Sequence, residues 1–218
     1  MAVHLHPLRR HLVFGSLASA LLLATGCSKT ARPTAKTLAR EATLLCLGDS
    51  LTFGLGTASG SSYPQVLERL TGHVVQNAGI NGDTTAGALA RLPGLLQGNA
   101  PGLVLVSIGG NDFLRSMPLE GTRNTLKQIV QMAVANTQTV LIAQPRPVLM
   151  ALATGSLKDH EVYAEVAAEA GVPLFADGWS YVLSRPELRS DHVHANTEGY
   201  RIFAERLAEW LRERKYVA

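Results

Sequence analysis

The sequence predicts an α/β domain built on a parallel sheet of about five strands. Short runs of apolar and β-branched residues alternate along the chain with longer segments whose apolar residues recur every three or four positions. The short runs are almost continuously apolar, as expected when helices cover both faces of a parallel sheet. The alternation begins at Thr43, and the length that follows suits one domain with a substantial core.

Each element follows from its own pattern. The runs predicted as strands are Thr43–Leu47, His73–Gln76, Leu103–Ile108, Thr139–Ala143 and Val172–Phe175. The segments predicted as helices are Tyr63–Leu70, Thr85–Leu96, Thr122–Ala135, Lys158–Ala170 and Thr197–Arg214. The chain shows no internal repeat.

The first 26 residues have the pattern of an export signal. Arg9 and Arg10 precede an uncharged stretch, residues 12–26, which is shorter than the ~20 apolar residues of a comfortable membrane span. Because the stretch ends in Gly26-Cys27, it resembles a bacterial lipoprotein signal, which implies lipidation of Cys27. We expect a periplasm-facing membrane lipoprotein, in the outer membrane if the host has one. The alternatives are plain secretory cleavage, giving a soluble periplasmic or secreted protein, and an anchor helix that is never removed.

Residues 27–42 are predicted to form a flexible tether, because they are rich in lysine and arginine and poor in acidic residues. Without residues 1–26 the chain has 18 basic and 17 acidic side chains. Such a balance, without a basic stripe, argues against nucleic acid as a partner. Cys46 lies in the first strand, where a small buried apolar residue is expected rather than a reactive thiol.

Four segments carry side chains typical of catalysis. Ser50 follows the first strand, Gly82 lies a few residues beyond the second, and Asn111 directly follows the third. Asp191 and His194 lie in the loop between the last strand and the final helix. Because ligands gather at the carboxyl ends of parallel strands, we expect these five residues to converge. A serine, an acid–histidine pair, an amide and a backbone N–H are the groups that acyl transfer needs.

These segments resemble the four sequence blocks of the SGNH, or GDSL-type, hydrolase family. The wider strings, which are similar to its bacterial arylesterase, thioesterase and lysophospholipase branch, are Gly48-Asp49-Ser50-Leu51-Thr52, Asn81-Gly82-Asp83-Thr84-Thr85-Ala86-Gly87, Leu89-Ala90-Arg91-Leu92 and Gly109-Gly110-Asn111-Asp112. The resemblance covers residues 43–218 and implies a three-layer α/β/α fold with a flavodoxin-like sheet.

The chemistry assigns a role to each residue. Ser50 would attack an acyl carbonyl and form an acyl-enzyme, with His194 as the base that removes its proton. Asp191 would orient the imidazole of His194 and stabilise its protonated form. The backbone N–H groups of Ser50 and Gly82 and the side-chain amide of Asn111 would form the oxyanion hole.

Three further residues are assigned to the substrate pocket. Leu51 follows the nucleophile, and the ring of Phe113 stands where the family usually has a small residue. Met150 belongs to an apolar segment, residues 146–152, that suits an apolar acyl chain.

Several nearby side chains have competing interpretations. His192 is a rival base, but only His194 keeps the Asp-x-x-His spacing. Asp191, His192 and His194 could also bind a metal, yet no further Cys or His cluster completes a ligand set, so neither a metal nor another cofactor is expected. Asp49 is interpreted as a cap of the following helix.

The sequence therefore predicts a monomeric serine hydrolase of carboxylic esters or thioesters that acts on small-molecule or lipid acyl substrates. The main alternative is a carbohydrate O-acetyl esterase. A non-catalytic lipid- or glycan-binding lipoprotein is a second alternative. A nucleotide- or flavin-binding module is a third, although no Lys-Ser/Thr pair follows a glycine loop after the first strand.

Overall fold

The computed structural model describes residues 1–3, 36–146 and 156–218. The helices and strands of the described residues lie in one compact unit. Its strands are β1 (Leu44–Gly48), β2 (Val75–Gly79), β3 (Leu103–Ser107), β4 (Gln138–Ile142) and β5 (Leu174–Phe175). Its α-helices are α1 (Ser50–Phe53), α2 (Tyr63–Thr71), α3 (Thr85–Asn99), α4 (Gly110–Leu114), α5 (Leu119–Val134), α6 (Glu161–Ala170), α7 (Trp179–Leu183) and α8 (Thr197–Glu213). In the part of the chain described, no helix is both long enough and apolar enough to cross a membrane.

The five strands form one parallel sheet in the order β2-β1-β3-β4-β5. This is the flavodoxin-like order, in which the direction of winding reverses between β1 and β3. At the carboxyl end of the sheet, Gly48 of β1 pairs with Gly79 of β2 and with Ser107 of β3. The crevice outside this point is where open α/β sheets bind their ligands. The predicted α/β fold with a parallel sheet is confirmed.

Alternate side chains of each strand supply the two cores of a three-layer structure. Leu44 and Cys46 of β1 pack with α2, α7 and α8, whereas Leu45 and Leu47 pack with α3, α5 and α6. All four side chains are fully buried. Burial of each leucine contributes about 1.5–3 kcal/mol, so the central strand is a rigid base for the residues at its carboxyl end.

Most predicted boundaries agree with the structure within two residues. Strands β2 and β5 and helix α6 begin later than expected, α5 begins three residues earlier, and β2 and α3 end three residues later. Strand β2 starts at Val75 because Gly72, at φ 72°, ends α2 in a left-handed conformation and two linking residues follow. Helix α6 starts at Glu161 because His160 caps it, its Nδ1 accepting from the N–H of Val162 at 3.2 Å.

The chain enters the domain at the amino ends of the strands. The N–H of Lys36 donates to Oε1 of Gln138 at 2.8 Å, and Nε2 of Gln138 donates to the carbonyl of Lys36 at 2.7 Å. The N–H of Leu38 donates to the carbonyl of Tyr216 at 2.9 Å, and the Leu38 side chain packs against the core. The last residues of the segment predicted as a tether, 36–42, are therefore bonded to the domain.

Candidate active site

Ser50 is the first residue of α1 and lies directly beyond β1. Asp49 caps this short helix, its Oδ1 accepting from the N–H of Leu51 at 3.0 Å, as the sequence predicts. Gly54 ends the helix in a left-handed conformation at φ 97°. Because the helix is anchored to the buried central strand, Ser50 is held at the floor of the cleft with only 8% of its surface exposed.

Ser50, His194 and Asp191 form a continuous hydrogen-bonded chain. Nε2 of His194 lies 2.9 Å from Oγ of Ser50, and Nδ1 of His194 lies 2.7 Å from Oδ2 of Asp191. The structure thus brings together the three residues that the sequence singled out. Of the two neighbouring histidines, His194 makes both contacts, while His192 is exposed at the rim of the cleft.

The loop that carries the histidine is fixed by its own aspartate. Oδ1 of Asp191 accepts from the N–H groups of Val193 and His194, each at 2.8 Å. Partial burial opposes ionisation of this carboxyl, but these bonds and the contact with the imidazole outweigh it and lower the pKa of Asp191. The N–H of Ser190 also donates to the carbonyl of His194 at 3.0 Å, and this bond closes the loop.

Gly82 lies on the loop after β2, and Asn111 lies in the first turn of α4, at the same end of the sheet. Gly82 has φ 73°, a conformation that favours glycine. Nδ2 of Asn111 donates to the carbonyl of Asp83 at 2.9 Å, and Nη2 of Arg115 donates to the carbonyl of Gly82 at 2.7 Å. These bonds fasten the glycine loop to α4.

The cleft contains three donors suited to a developing oxyanion. Ser50, Gly82 and Asn111 all line it. Within residues 36–146 and 156–218, no acceptor bonds to the backbone N–H of Ser50 or of Gly82. Nδ2 of Asn111 uses one hydrogen for Asp83 and has a second one available. The arrangement can therefore offer three N–H donors to one ligand oxygen.

The cleft has a volume of about 200 Å³ and a largely apolar wall. Its leucines come from four separate segments of the chain: Leu51, Leu55, Leu114, Leu157 and Leu183. Such a wall suits a hydrocarbon chain beside a small set of polar reacting groups. Among the residues described, no three Asp, Glu, His or Cys side chains are grouped to hold a metal ion.

The structure corrects one predicted pocket residue. Leu51 lines the cleft as expected, whereas Met150 lies outside the described residues. Phe113 does not line the described cleft; its ring stacks on His160 with centroids 4.6 Å apart. The reason is the helical periodicity of α4: Asn111 and Leu114, three positions apart, face the cleft, and position 113 faces away.

Sequence reasoning missed two side chains that support the site. Arg91 on α3 pairs with Asp83 at 2.8 Å and also donates to the carbonyls of Ala78 at 2.8 Å and Gly48 at 2.9 Å. It therefore ties the ends of β1 and β2 to the glycine loop. Arg91 stands in the string Leu89-Ala90-Arg91-Leu92, but nothing in that string identifies its hydrogen-bond partners.

The second missed residue is Gln144, which is buried just beyond β4. Its Nε2 donates to Oδ2 of Asp49 at 3.1 Å, and its Oε1 accepts from the N–H of Gly110 at 2.6 Å. Burial raises the pKa of Asp49 to about 6, although bonds from Leu51 and Gln144 oppose the rise. Its position at the carboxyl end of a strand is the signal that would have found Gln144.

Comparison with known proteins agrees with this geometry. The model of the GDSL-like Lipase/Acylhydrolase family matches residues 46–202. The chain is 34% identical over 177 residues to "Thioesterase 1/protease 1/lysophospholipase L1" of Escherichia coli strain K12, a match that covers 78% of this chain and 83% of that protein. It is 32% identical over 174 residues to an arylesterase of Vibrio mimicus, covering 77% of this chain and 87% of that one.

A solved structure described as the crystal structure of TesA superposes with a TM-score of 0.70 and 29% sequence identity, covering 79% of this chain and 99% of that one. The family match spans both the Ser50 block and the Asp191–His194 loop. The chain therefore belongs to the GDSL-like Lipase/Acylhydrolase family and is an esterase of the GDSL type.

Proposed function

We propose that this chain hydrolyses carboxylic esters or thioesters through an acyl-enzyme on Ser50. The observation that carries the proposal is the hydrogen-bonded chain from Asp191 through His194 to Ser50, with contacts of 2.7 Å and 2.9 Å. A serine hydroxyl is a weak nucleophile, and a neutral imidazole at hydrogen-bond distance is the base that activates it.

In the first half of the reaction, Nε2 of His194 takes the proton of the Ser50 hydroxyl while Oγ attacks the acyl carbonyl carbon. The carbonyl oxygen becomes an oxyanion that accepts from the N–H groups of Ser50 and Gly82 and from the amide of Asn111. When the intermediate collapses, the bond to the alcohol or thiol breaks, and that leaving group takes the proton from His194.

In the second half, a water molecule replaces the leaving group. His194 takes a proton from the water as its oxygen attacks the acyl carbon, and it returns that proton to Oγ of Ser50 when the acid leaves. Asp191 stays ionised throughout, because its lowered pKa keeps it charged beside the imidazolium. It fixes the tautomer of His194 with Nε2 facing the nucleophile.

The wall of the cleft supports an apolar acyl group as the recognised part of the substrate. The side chains of the five leucines that line it offer no hydrogen-bond partner to a sugar or a peptide. The names of the relatives, which include a thioesterase, a lysophospholipase and an arylesterase, agree with acyl substrates of differing leaving groups. Carbohydrate O-acetyl ester hydrolysis is the competing outcome.

The test is hydrolysis of p-nitrophenyl esters from acetate to palmitate by residues 28–218, with acyl-CoA thioesters as a parallel series. Ser50→Ala should lower kcat by at least ~10⁴-fold. Ser59→Ala, at an exposed serine, is the matched control and should retain full activity. Turnover that survives in Ser50→Ala would refute the acyl-enzyme, and activity confined to acetate would favour the O-acetyl esterase.

We also propose that residues 1–26 direct export and that a lipid on Cys27 holds a monomeric enzyme at a membrane. The support is the pair Arg9 and Arg10, the uncharged stretch and the Gly26-Cys27 ending. Cells fed labelled palmitate should incorporate the label into the full chain but not into Cys27→Ser, and only the unsubstituted protein should sediment with membranes. Equal labelling of the two would refute the site.

A further inference from the structure

Gln144 occupies a central place among the buried polar groups at the base of the cleft, which it helps to line. It follows β4 by two residues, and only 1% of its surface is exposed. Its Oε1 accepts from the N–H of Gly110, and its Nε2 donates to Oδ2 of Asp49 and to Oγ of Ser107, at 3.1 and 3.2 Å. Both hydrogens and the oxygen of the side-chain amide are therefore used.

The side-chain amide of Gln144 bonds to the amino ends of both short helices that carry reacting groups, α1 and α4. Asp49 is the cap of α1, whose first residue is Ser50. Gly110 is the first residue of α4, whose second residue is Asn111. A helix of four or five residues has little stability of its own, so its position depends on such contacts.

The contacts fix the orientation of the amide and leave little space around it. Turning the side chain over would place its NH₂ group against the N–H of Gly110 and its oxygen against the Asp49 carboxyl group. A Cβ at position 110 would lie 2.9 Å from Oε1 and 3.7 Å from the Asp49 carboxylate, so the three groups are in close contact. Behind them, Oγ of Ser107 accepts from Nε1 of the buried Trp179 at 3.0 Å.

We infer that Gln144 is a positioning residue that sets the distance between the nucleophile and the amide donor of the oxyanion hole. It acts through Asp49 on the helix of Ser50 and through Gly110 on the helix of Asn111. The inference rests on the proposed function of Ser50 and Asn111, and it assigns Gln144 no contact with the reacting atoms.

This placement matters most in the transition state. An oxyanion donor is effective only within about 0.5 Å of its productive position, and misplacement by ~1 Å can cost ~10²-fold in rate. Loss of the hydrogen bonds by which Gln144 links Asp49 to Gly110 should therefore lower kcat. KM should change little, because the leucines that bind the acyl chain stay in place.

Two substitutions test the inference. Gln144→Ala removes the bridge, and we expect kcat to fall 10- to 100-fold with KM within about threefold. Gln144→Glu keeps the size and the acceptor for Gly110 but places a second carboxyl group beside Asp49, where the charges of Asp83 and His194 are also felt. Two adjacent carboxyl groups share a proton as the pH falls, and that proton restores the bond to Asp49.

The decisive readout is the ratio of kcat for Gln144→Glu to kcat for the unsubstituted enzyme. It should rise at least fivefold between pH 8 and pH 6, while the same ratio for Gln144→Ala stays constant. A role limited to stability would not produce this difference.

Ser107→Ala is the matched control, because it removes a partner of Gln144 but leaves both helix contacts in place. Its kcat should stay within threefold of the unsubstituted value, and thermal melting of all three variants shows how far each is destabilised. Should Gln144→Ala not fold, Gln144→Glu carries the test alone.

An unchanged kcat in Gln144→Ala, or a Gln144→Glu ratio that does not vary with pH, would overturn the inference. Unsubstituted enzyme that fails to hydrolyse esters, or Ser50→Ala that retains activity, would instead overturn the proposed function. The two failures are therefore distinguishable.

Discussion

Asp49 should make the unfolding free energy depend on pH in an unusual direction. Asp49 is 2% exposed, and burial raises the pKa of its carboxyl group from the ordinary 3.8 to about 6. Between these values the folded protein binds more protons than the unfolded chain, so stability falls as the pH rises. At about 1.4 kcal/mol for each pKa unit, the contribution lost by pH 7 is about 3 kcal/mol.

The substitution that isolates this contribution is Asp49→Asn, which keeps an acceptor for the N–H of Leu51 but cannot ionise. Urea unfolding followed by the fluorescence of Trp179 and Trp210 gives the unfolding free energy of each protein from pH 3.5 to 7.5. The unfolding free energy of the unsubstituted protein minus that of Asp49→Asn should fall by about 3 kcal/mol as the pH rises to about 7, and it should be constant above that pH. The substitution adds a constant offset, which does not affect this change.

A difference that stays constant across the range would refute the reasoning, because it would mean that Asp49 titrates equally in both states. Asp191→Asn is the control with the opposite sign. The lowered pKa of Asp191 stabilises the fold above the ordinary pKa, and that stabilisation is lost as the pH falls through the folded value. The Asp191→Asn comparison should therefore change only at the acid end of the range.

Three further predictions concern the oxyanion hole, the core beneath α8 and the support of the glycine loop. Asn111→Ala should lower kcat ~10²- to 10³-fold with little change in KM or melting temperature, because one of three oxyanion donors is lost. A change in KM alone, measured with a p-nitrophenyl ester, would contradict this role of Asn111. Leu207→Ala in α8 should lower the unfolding free energy, measured by urea titration, by about 2–5 kcal/mol, because the Leu207 side chain is fully buried. Glu209→Ala, on the exposed face of the same helix, is the control and should change the unfolding free energy by less than about 0.5 kcal/mol. Arg91→Met should lower the unfolding free energy by about 3 kcal/mol, and it should also lower kcat, because Asp83 loses its largely buried partner. Unchanged unfolding free energy and kcat would show that the glycine loop does not depend on Arg91.

The sheet and the reacting residues could be predicted because both depend on local pattern. Continuous apolar runs identified the central strands, and Ser50, Gly82 and Asn111 were found by their places after those strands. The Asp-x-x-His spacing was enough for His194 because Asp191 bonds within its own loop.

The parts that could not be predicted depend on long-range contacts or on very short helices. Gln144 bonds to residues 95 and 34 positions away, and no local pattern encodes those partners. Phe113 was assigned to the pocket because its ring stands close to Asn111 in sequence, where the family usually has a small residue. Helix α4, with five residues, is too short for periodicity to reveal which side faces the cleft. Leu157 and Leu183 join the cleft wall through tertiary packing alone.

The hydrogen bonds between Lys36 and Gln138 determine at which end of the domain a surface or a fusion partner can be attached ahead of Lys36. The chain meets the domain where β4 begins, whereas Ser50 and Asn111 lie where β1 and β3 end. Five residues of strand at about 3.3 Å each separate these two ends by ~16 Å. A fusion partner, affinity tag or solid support joined directly to Lys36 would therefore be attached at the end of the domain opposite the cleft. Immobilisation at Lys36 should leave the cleft open to substrate, whereas coupling through residues at the cleft rim should obstruct it.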